Sequence, residues 1–194
     1  MNRLGLGLLV LSLSTAALAD TSGSYLQATL QEAKQGNAKA QDRMGLMYEL
    51  GRGGVQQDYA QAVRWYQQAA GQGYADAQFK LGGLYYEGKG VRQDYGQAAA
   101  WFEKAAGQGN ASAQHLMGSL YARGQGVQQD DGQAVSWFQK AAEQGEAAAQ
   151  HDLAVMYEKG WGVPENRQQA KEWYGRACEQ GYSKGCQAYR SLTQ

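Results

Sequence analysis

Between Gly36 and Gln180 the chain repeats itself four times, in segments 36–72, 73–108, 109–144 and 145–180. A period of about 36 residues means that each copy is one supersecondary unit, too small to bury its apolar face alone. Such copies stack on their neighbours into a solenoid, a fold that presents surfaces rather than enclosing a cavity.

One copy shows the local physics. After Gly73, residues Ala77, Leu81, Leu84 and Tyr85 recur at helical spacing and form a single apolar stripe. Gly88 stops that helix, because glycine accepts the left-handed cap conformation. Asp94 then stands where an N-cap carboxylate accepts amide hydrogen bonds. It opens a second helix carrying Ala98, Trp101, Phe102, Ala105 and Ala106. The unit is helix A, a glycine loop, helix B and a glycine turn. The cap returns as Asp58, Asp130 and Asn166, and the aromatic pair as Trp65-Tyr66, Trp137-Phe138 and Trp173-Tyr174. Gly45, Gly82, Gly118 and Ala154 keep one helix A position small, which predicts close helix approach. Residues 25–35 read as a helix B without its helix A, and residues 181–194 as a helix A without its helix B. About ten helices are expected.

The first residues read differently. Arg3, the apolar run Leu4–Leu13 and the small-x-small string Ala17-Leu18-Ala19 have the form of a cleaved export signal over residues 1–19, leaving a mature chain of 20–194. The run is too short to span a bilayer, and no later segment is long and apolar enough to do so. Periplasmic localisation is expected, with secretion as the alternative. Lys plus Arg and Asp plus Glu both number 18, so loss of Arg3 leaves the mature chain close to neutral. With no basic block, long-range attraction to nucleic acid is not expected.

The third copy reads Ala111-x-Ala113, Met117-Gly118-x-x-Tyr121, Gly124-x-Gly126-Val127-x-x-Asp130 and Ala134-x-x-Trp137-x-x-Lys140-Ala141-Ala142-x-x-Gly145. This pattern resembles the Sel1-like repeat family, relatives of the tetratricopeptide repeats. The resemblance covers nearly all of the mature chain. It implies an all-α, right-handed α-solenoid of helix-turn-helix repeats whose A helices line the concave face.

Cys178 takes the helix B position of Ala70, Ala106 and Ala142, and Cys186 the helix A position of Gln41, Gln78, Gln114 and Gln150. A helical hairpin across Gly181 would bring the two together. In an exported chain this pair reads as a disulfide stapling the last helix. A redox pair or half of a metal site are the other readings. The A-C-x7-C spacing is similar to that of cysteine-rich Sel1-like proteins.

Little in the chain points to catalysis, and no enzyme activity or cofactor is expected. Some cysteine-rich relatives are described as β-lactamase-like, yet S-x-x-K and K-T-G are both missing from this sequence. Gly181-Tyr182-Ser183-Lys184-Gly185 matches G-x-S-x-G, but a nucleophile elbow needs a strand before the serine, and a helix B precedes this one. His115 and His151 occupy equivalent positions in neighbouring copies. Adjacent helices pack about 8–10 Å apart, too far for two ligands of one metal without help, so both read as partly exposed surface residues.

The positions that vary between copies are free to build a surface. On helix A they are Asp42, Phe79, His115 and His151; Arg43, Lys80, Leu116 and Asp152; Leu46, Gly83, Ser119 and Val155; and Glu49, Tyr86, Ala122 and Glu158. Phe79, Tyr86 and Leu116 are candidates for a binding hot spot rimmed by Arg43, Lys80, Glu87 and Arg123, or else fill local packing gaps. Trp161 replaces Lys89 and Gln125 in its loop, as a contact residue or as a cover for the end of the stack. The resemblance implies a non-catalytic adaptor or scaffold that binds another protein, such as an envelope component. A narrower alternative is an immunity protein covering a secreted antibacterial effector such as a phospholipase. A cell-wall or β-lactamase-like enzyme is the third alternative.

Overall fold

The computed structural model describes residues 23–193; the export signal read over residues 1–19 lies outside them. Among the described residues there are ten helices and no strand. Helix α1 spans 23–34. It is followed by α2 (Ala38–Leu50), α3 (Tyr59–Gly71), α4 (Ala75–Glu87), α5 (Tyr95–Gly107) and α6 (Ala111–Arg123). The array continues with α7 (Asp131–Glu143), α8 (Ala147–Lys159), α9 (Arg167–Glu179) and α10 (Ser183–Thr193). Even-numbered helices are the A helices and odd-numbered ones the B helices. Each packs on its neighbours in chain order, as a right-handed α-solenoid requires.

The helix ends follow the local chemistry. Asp58, Asp94, Asp130 and Asn166 cap the B helices, accepting from the amides of Gln61, Gln97, Gln133 and Gln169 at 2.9–3.0 Å. Each cap is worth about 1 kcal/mol. The loop glycine Gly126 (φ 72°) rests directly on the backbone of Tyr95, the first residue of the preceding B helix. A Cβ there would collide with the Tyr95 carbonyl. Close backbone approach and a left-handed φ therefore both require glycine at this place.

Most of the buried core lies between repeats, although Ala154, Ala170 and Tyr174 form a smaller cluster inside the fourth. Ala62, Val63, Tyr66, Ala69 and Ala70 of α3 form one buried cluster with Ala77, Leu81 and Leu84 of α4. The same pattern joins α5 to α6 and α7 to α8. Each of these three clusters thus links helix B of one repeat to helix A of the next, which is why one copy cannot fold alone. Within the first three repeats the contact is of another kind. The rings of Tyr66, Phe102 and Phe138 lie flush against Gly45, Gly82 and Gly118.

A buried glutamine ties three successive helices together in every repeat. Gln78 Nε2 donates to the Ala70 carbonyl of α3 at 3.2 Å, and its Oε1 accepts from Gln108, the C-cap of α5, at 2.7 Å. Gln41, Gln114 and Gln150 make the equivalent pairs with Ala33 and Gln72, Ala106 and Gln144, and Ala142 and Gln180. At the last junction Cys186 stands in the glutamine's place and is disulfide-bonded to Cys178.

Two outcomes follow from this packing. Gly118→Ala places a Cβ about 2.5 Å from the Phe138 ring and is expected to cost about 1–3 kcal/mol in urea denaturation. Cys186→Ser is expected to speed amide hydrogen exchange in α10 while leaving α2–α8 protected. The cross-link contributes roughly 2–3 kcal/mol in the chain-entropy account, and it acts only on the terminal helix.

Candidate protein-binding face

The variable positions of the A helices fall on one face, and the stacking pairs them. Two first-position residues, Asp42 and His115, meet the second-position residue of the next repeat. Lys80 Nζ donates to both oxygens of Asp42, at 2.7 and 2.8 Å. It also lies 5.5 Å from the centroid of the Tyr66 ring. At the other end of the face His115 Nε2 is 2.8 Å from Asp152 Oδ2. Between these polar contacts Phe79 and Leu116 both pack on the cluster around Phe102. Lys80 is therefore committed to a neighbouring helix rather than standing as a free rim charge.

The histidines come together through a residue that sequence reasoning left among the variable positions. Asp152 accepts from His115 and, at 2.9 Å through its other oxygen, from His151 Nδ1. The two imidazoles and the carboxylate point at one another rather than at a common centre. Among the described residues no cluster of His, Cys, Asp and Glu has the arrangement of a metal site. Burial pushes the Asp152 carboxyl upward, but hydrogen bonds from His115 and His151 outweigh it and hold its pKa at about 2.

A second pairing explains another variable position. Tyr66 Oη donates to Glu49 at 2.6 Å, and Tyr174 Oη to Glu158 at 2.8 Å. In the two middle repeats the buried ring is Phe102 or Phe138, and Tyr86 or Ala122 takes the glutamate's place. Burial first, and then the adjacent glutamate, raises the pKa of Tyr66 and of Tyr174 well above the usual tyrosine value. The signal was in the sequence: glutamate occurs only in copies with the second aromatic a tyrosine.

The three apolar candidates are all half-buried. Phe79 tilts against Phe102 with ring centroids 5.9 Å apart, and Tyr86 meets Tyr95 edge-on at 5.2 Å. Leu116 packs on the same core. Arg43 is half-buried, whereas Arg123 is exposed and Trp161 is 52% exposed. Arg123 and Trp161 border a groove of about 530 Å³ between α6 and α8. Phe138 and Met156 also line it, and Asp131, Asp152 and Val155 reach it. Ser183 begins α10 directly after a helical hairpin turn, so no strand precedes it and it has no elbow geometry.

The Sel1 repeat family model matches residues 38–74, 75–110, 111–146 and 147–182. The chain belongs to the Sel1 repeat family. Among solved structures it is similar to a protective antigen of uropathogenic Escherichia coli strains that displays an SLR fold. The identity is 42% and the TM-score 0.81, over 83% of this chain and 34% of that one. It is also similar to a Sel1 repeat protein of Oxalobacter formigenes, at 36% identity and TM-score 0.79, over 87% of this chain and 67% of that one. An immunity protein of Pseudomonas aeruginosa shares the fold at 22% identity and TM-score 0.52, over 84% of this chain and 60% of that one. The chain spans about a third of the length of the E. coli antigen. No curated protein matches it.

Sel1 repeat architecture accounts for the glycines, the caps and the buried rings, whereas the pairings on the A-helix face differ from copy to copy. Asp152→Asn is expected to lower stability near neutral pH by about 1 kcal/mol, a value kept small because solvent reaches the carboxylate. The folded-state pKa is depressed, so the stabilisation is complete above the ordinary carboxyl value and is lost as pH falls toward about 2. Urea midpoints of the two proteins should therefore converge between pH 4 and the acid limit. A constant gap across that range would contradict the assignment.

Proposed function

We propose that this Sel1 repeat protein is an exported, non-catalytic binding protein that captures another protein on the concave face formed by its A helices, in the periplasm. The Sel1 fold is suited to protein–protein interaction. The observation that carries the reading is the groove between α6 and α8, where the exposed Trp161 and Arg123 border an apolar floor of Phe138, Val155 and Met156. Exposed tryptophan and arginine beside a pocket are the residue types that dominate binding energy at protein interfaces. Export is supported by Leu4–Leu13 with Ala17-Leu18-Ala19, and by the Cys178–Cys186 disulfide, a bond that persists in oxidising compartments.

The narrower role of an immunity protein draws on the Pseudomonas aeruginosa neighbour, whose identity of 22% speaks for shared fold alone. The broader reading is therefore the one proposed.

The test is capture from the native cell envelope, with the wild-type protein and the Trp161→Ala, Arg123→Ala double variant as parallel baits. The wild type should retain a defined partner. The double variant, with unchanged helical circular dichroism, should lose about tenfold or more in affinity, equivalent to 1.4 kcal/mol. Failure of the wild type to retain any partner would sink the reading.

A further inference from the structure

The groove between α6 and α8 has a counterpart elsewhere in the same chain, where the equivalent places hold other residues. Where repeats 1 and 2 meet, Lys89 of the α4–α5 loop reaches Glu87 Oε2 at 2.6 Å and lies 5.6 Å from the Tyr59 ring centroid. Tyr59 is the first residue of α3, and Gly90, next to Lys89, rests on its backbone. The chain thus fills this junction itself, with a cation between an aromatic ring and a carboxylate.

Where repeats 3 and 4 meet, the same places hold different chemistry. Asp131 stands at the first residue of α7, in the tyrosine's place, and Gly162 rests on its backbone. Trp161 stands in the loop in the lysine's place. The aromatic ring stands in the lysine's place, the acid in the tyrosine's, and Lys159 in that of Glu87. Two losses open the space. In the middle junction Tyr86 and Tyr95 meet edge-on at 5.2 Å, whereas the equivalent residues one repeat later are Ala122 and Asp131. Both line the groove of about 530 Å³.

The charges facing this opening are Asp131, Asp152 and Arg123. Asp152 is held toward the groove by His115 and His151. Among the described residues neither Asp131 nor Arg123 has an ion-pair partner, and the nearby Lys159 is engaged by Glu158 at 3.4 Å. Two carboxylates beside an exposed indole favour a cation, because ring face and carboxylate attract it together and partial burial strengthens both.

We propose that the groove receives a single lysine or arginine side chain from a mixed-charge segment of the protein partner. The cation lies between the Trp161 ring and the carboxylates of Asp131 and Asp152, and its aliphatic stem runs along Val155 and Met156. Arg123, at the rim, favours an acidic residue beside that cation and opposes a run of positive charge. This assignment rests on the docking reading above and names the chemistry of its partner.

The probe is a blocked pentapeptide, Gly-Lys-Leu-Glu-Gly, titrated into the wild-type protein and followed by the indole N–H resonance of Trp161 and the backbone amides of 119–123 and 152–156. Saturable shifts are expected at these sites. Replacing the peptide lysine by glutamine should weaken binding about tenfold, as should Trp161→Ala or Asp131→Asn in the protein. Equal binding of the lysine and glutamine peptides would overturn the proposal, and so would shifts mapping to another face or unchanged affinity in Asp131→Asn. In the envelope capture, a partner held equally well by Asp131→Asn removes the groove assignment alone. Peptide binding at the groove with no partner captured removes the docking reading alone.

Discussion

A buried glutamine in each A helix is the contact on which the stack depends. Its amide donates to a carbonyl near the end of the preceding B helix and accepts from the C-cap glutamine of its own repeat, so one side chain sets the positions of three helices. A buried amide left unpaired costs about 1–3 kcal/mol, so the interaction penalises any sliding of one repeat against the next. At the last junction Cys186 takes the glutamine's place, and a covalent bond to Cys178 holds it.

Because the three large clusters lie between repeats, many of the repeated residues are spent on stacking. Alanines of the B helices, leucines and methionines of the A helices and the second aromatic of each pair are buried together. The A-helix face carries side-chain contacts that differ from copy to copy. There the stacking pairs residues of neighbouring copies: an ion pair at Asp42–Lys80, an apolar middle at Phe79 and Leu116, and the His115–Asp152–His151 cluster. These contacts are local complements between adjacent units. They lend the array a fixed order of repeats, while Trp161 stays exposed and Arg123 and Asp131 have no ion-pair partner among the described residues.

Helix boundaries were legible because they rest on short-range chemistry. Gly88 and Asp94 stop and start helices where the spacing places them, and Cys178 and Cys186 meet across the hairpin. The face was less legible. Phe79, Tyr86 and Leu116 stood equally well as hot spot or as filler, and the structure shows them half-buried against Phe102 and Tyr95. Lys80 read as a free rim charge until Asp42 was found within reach. The Tyr66–Glu49 and Tyr174–Glu158 pairs were visible as a correlation across four copies, yet their meaning required knowing that the ring hydroxyl reaches the A helix.

The amino-acid sequence by itself determined the repeat, the helical hairpins, the caps and the all-α solenoid, because periodic apolar residues and glycine stops act within a single turn or loop. The tertiary structure alone decided which variable residues are spent on their neighbours and which remain free. Asp152 joins two histidines from successive A helices, and the loss of the rings found at Tyr86 and Tyr95 opens a groove beside Trp161. Both outcomes depend on the offset between adjacent repeats, a distance fixed by packing across the stack.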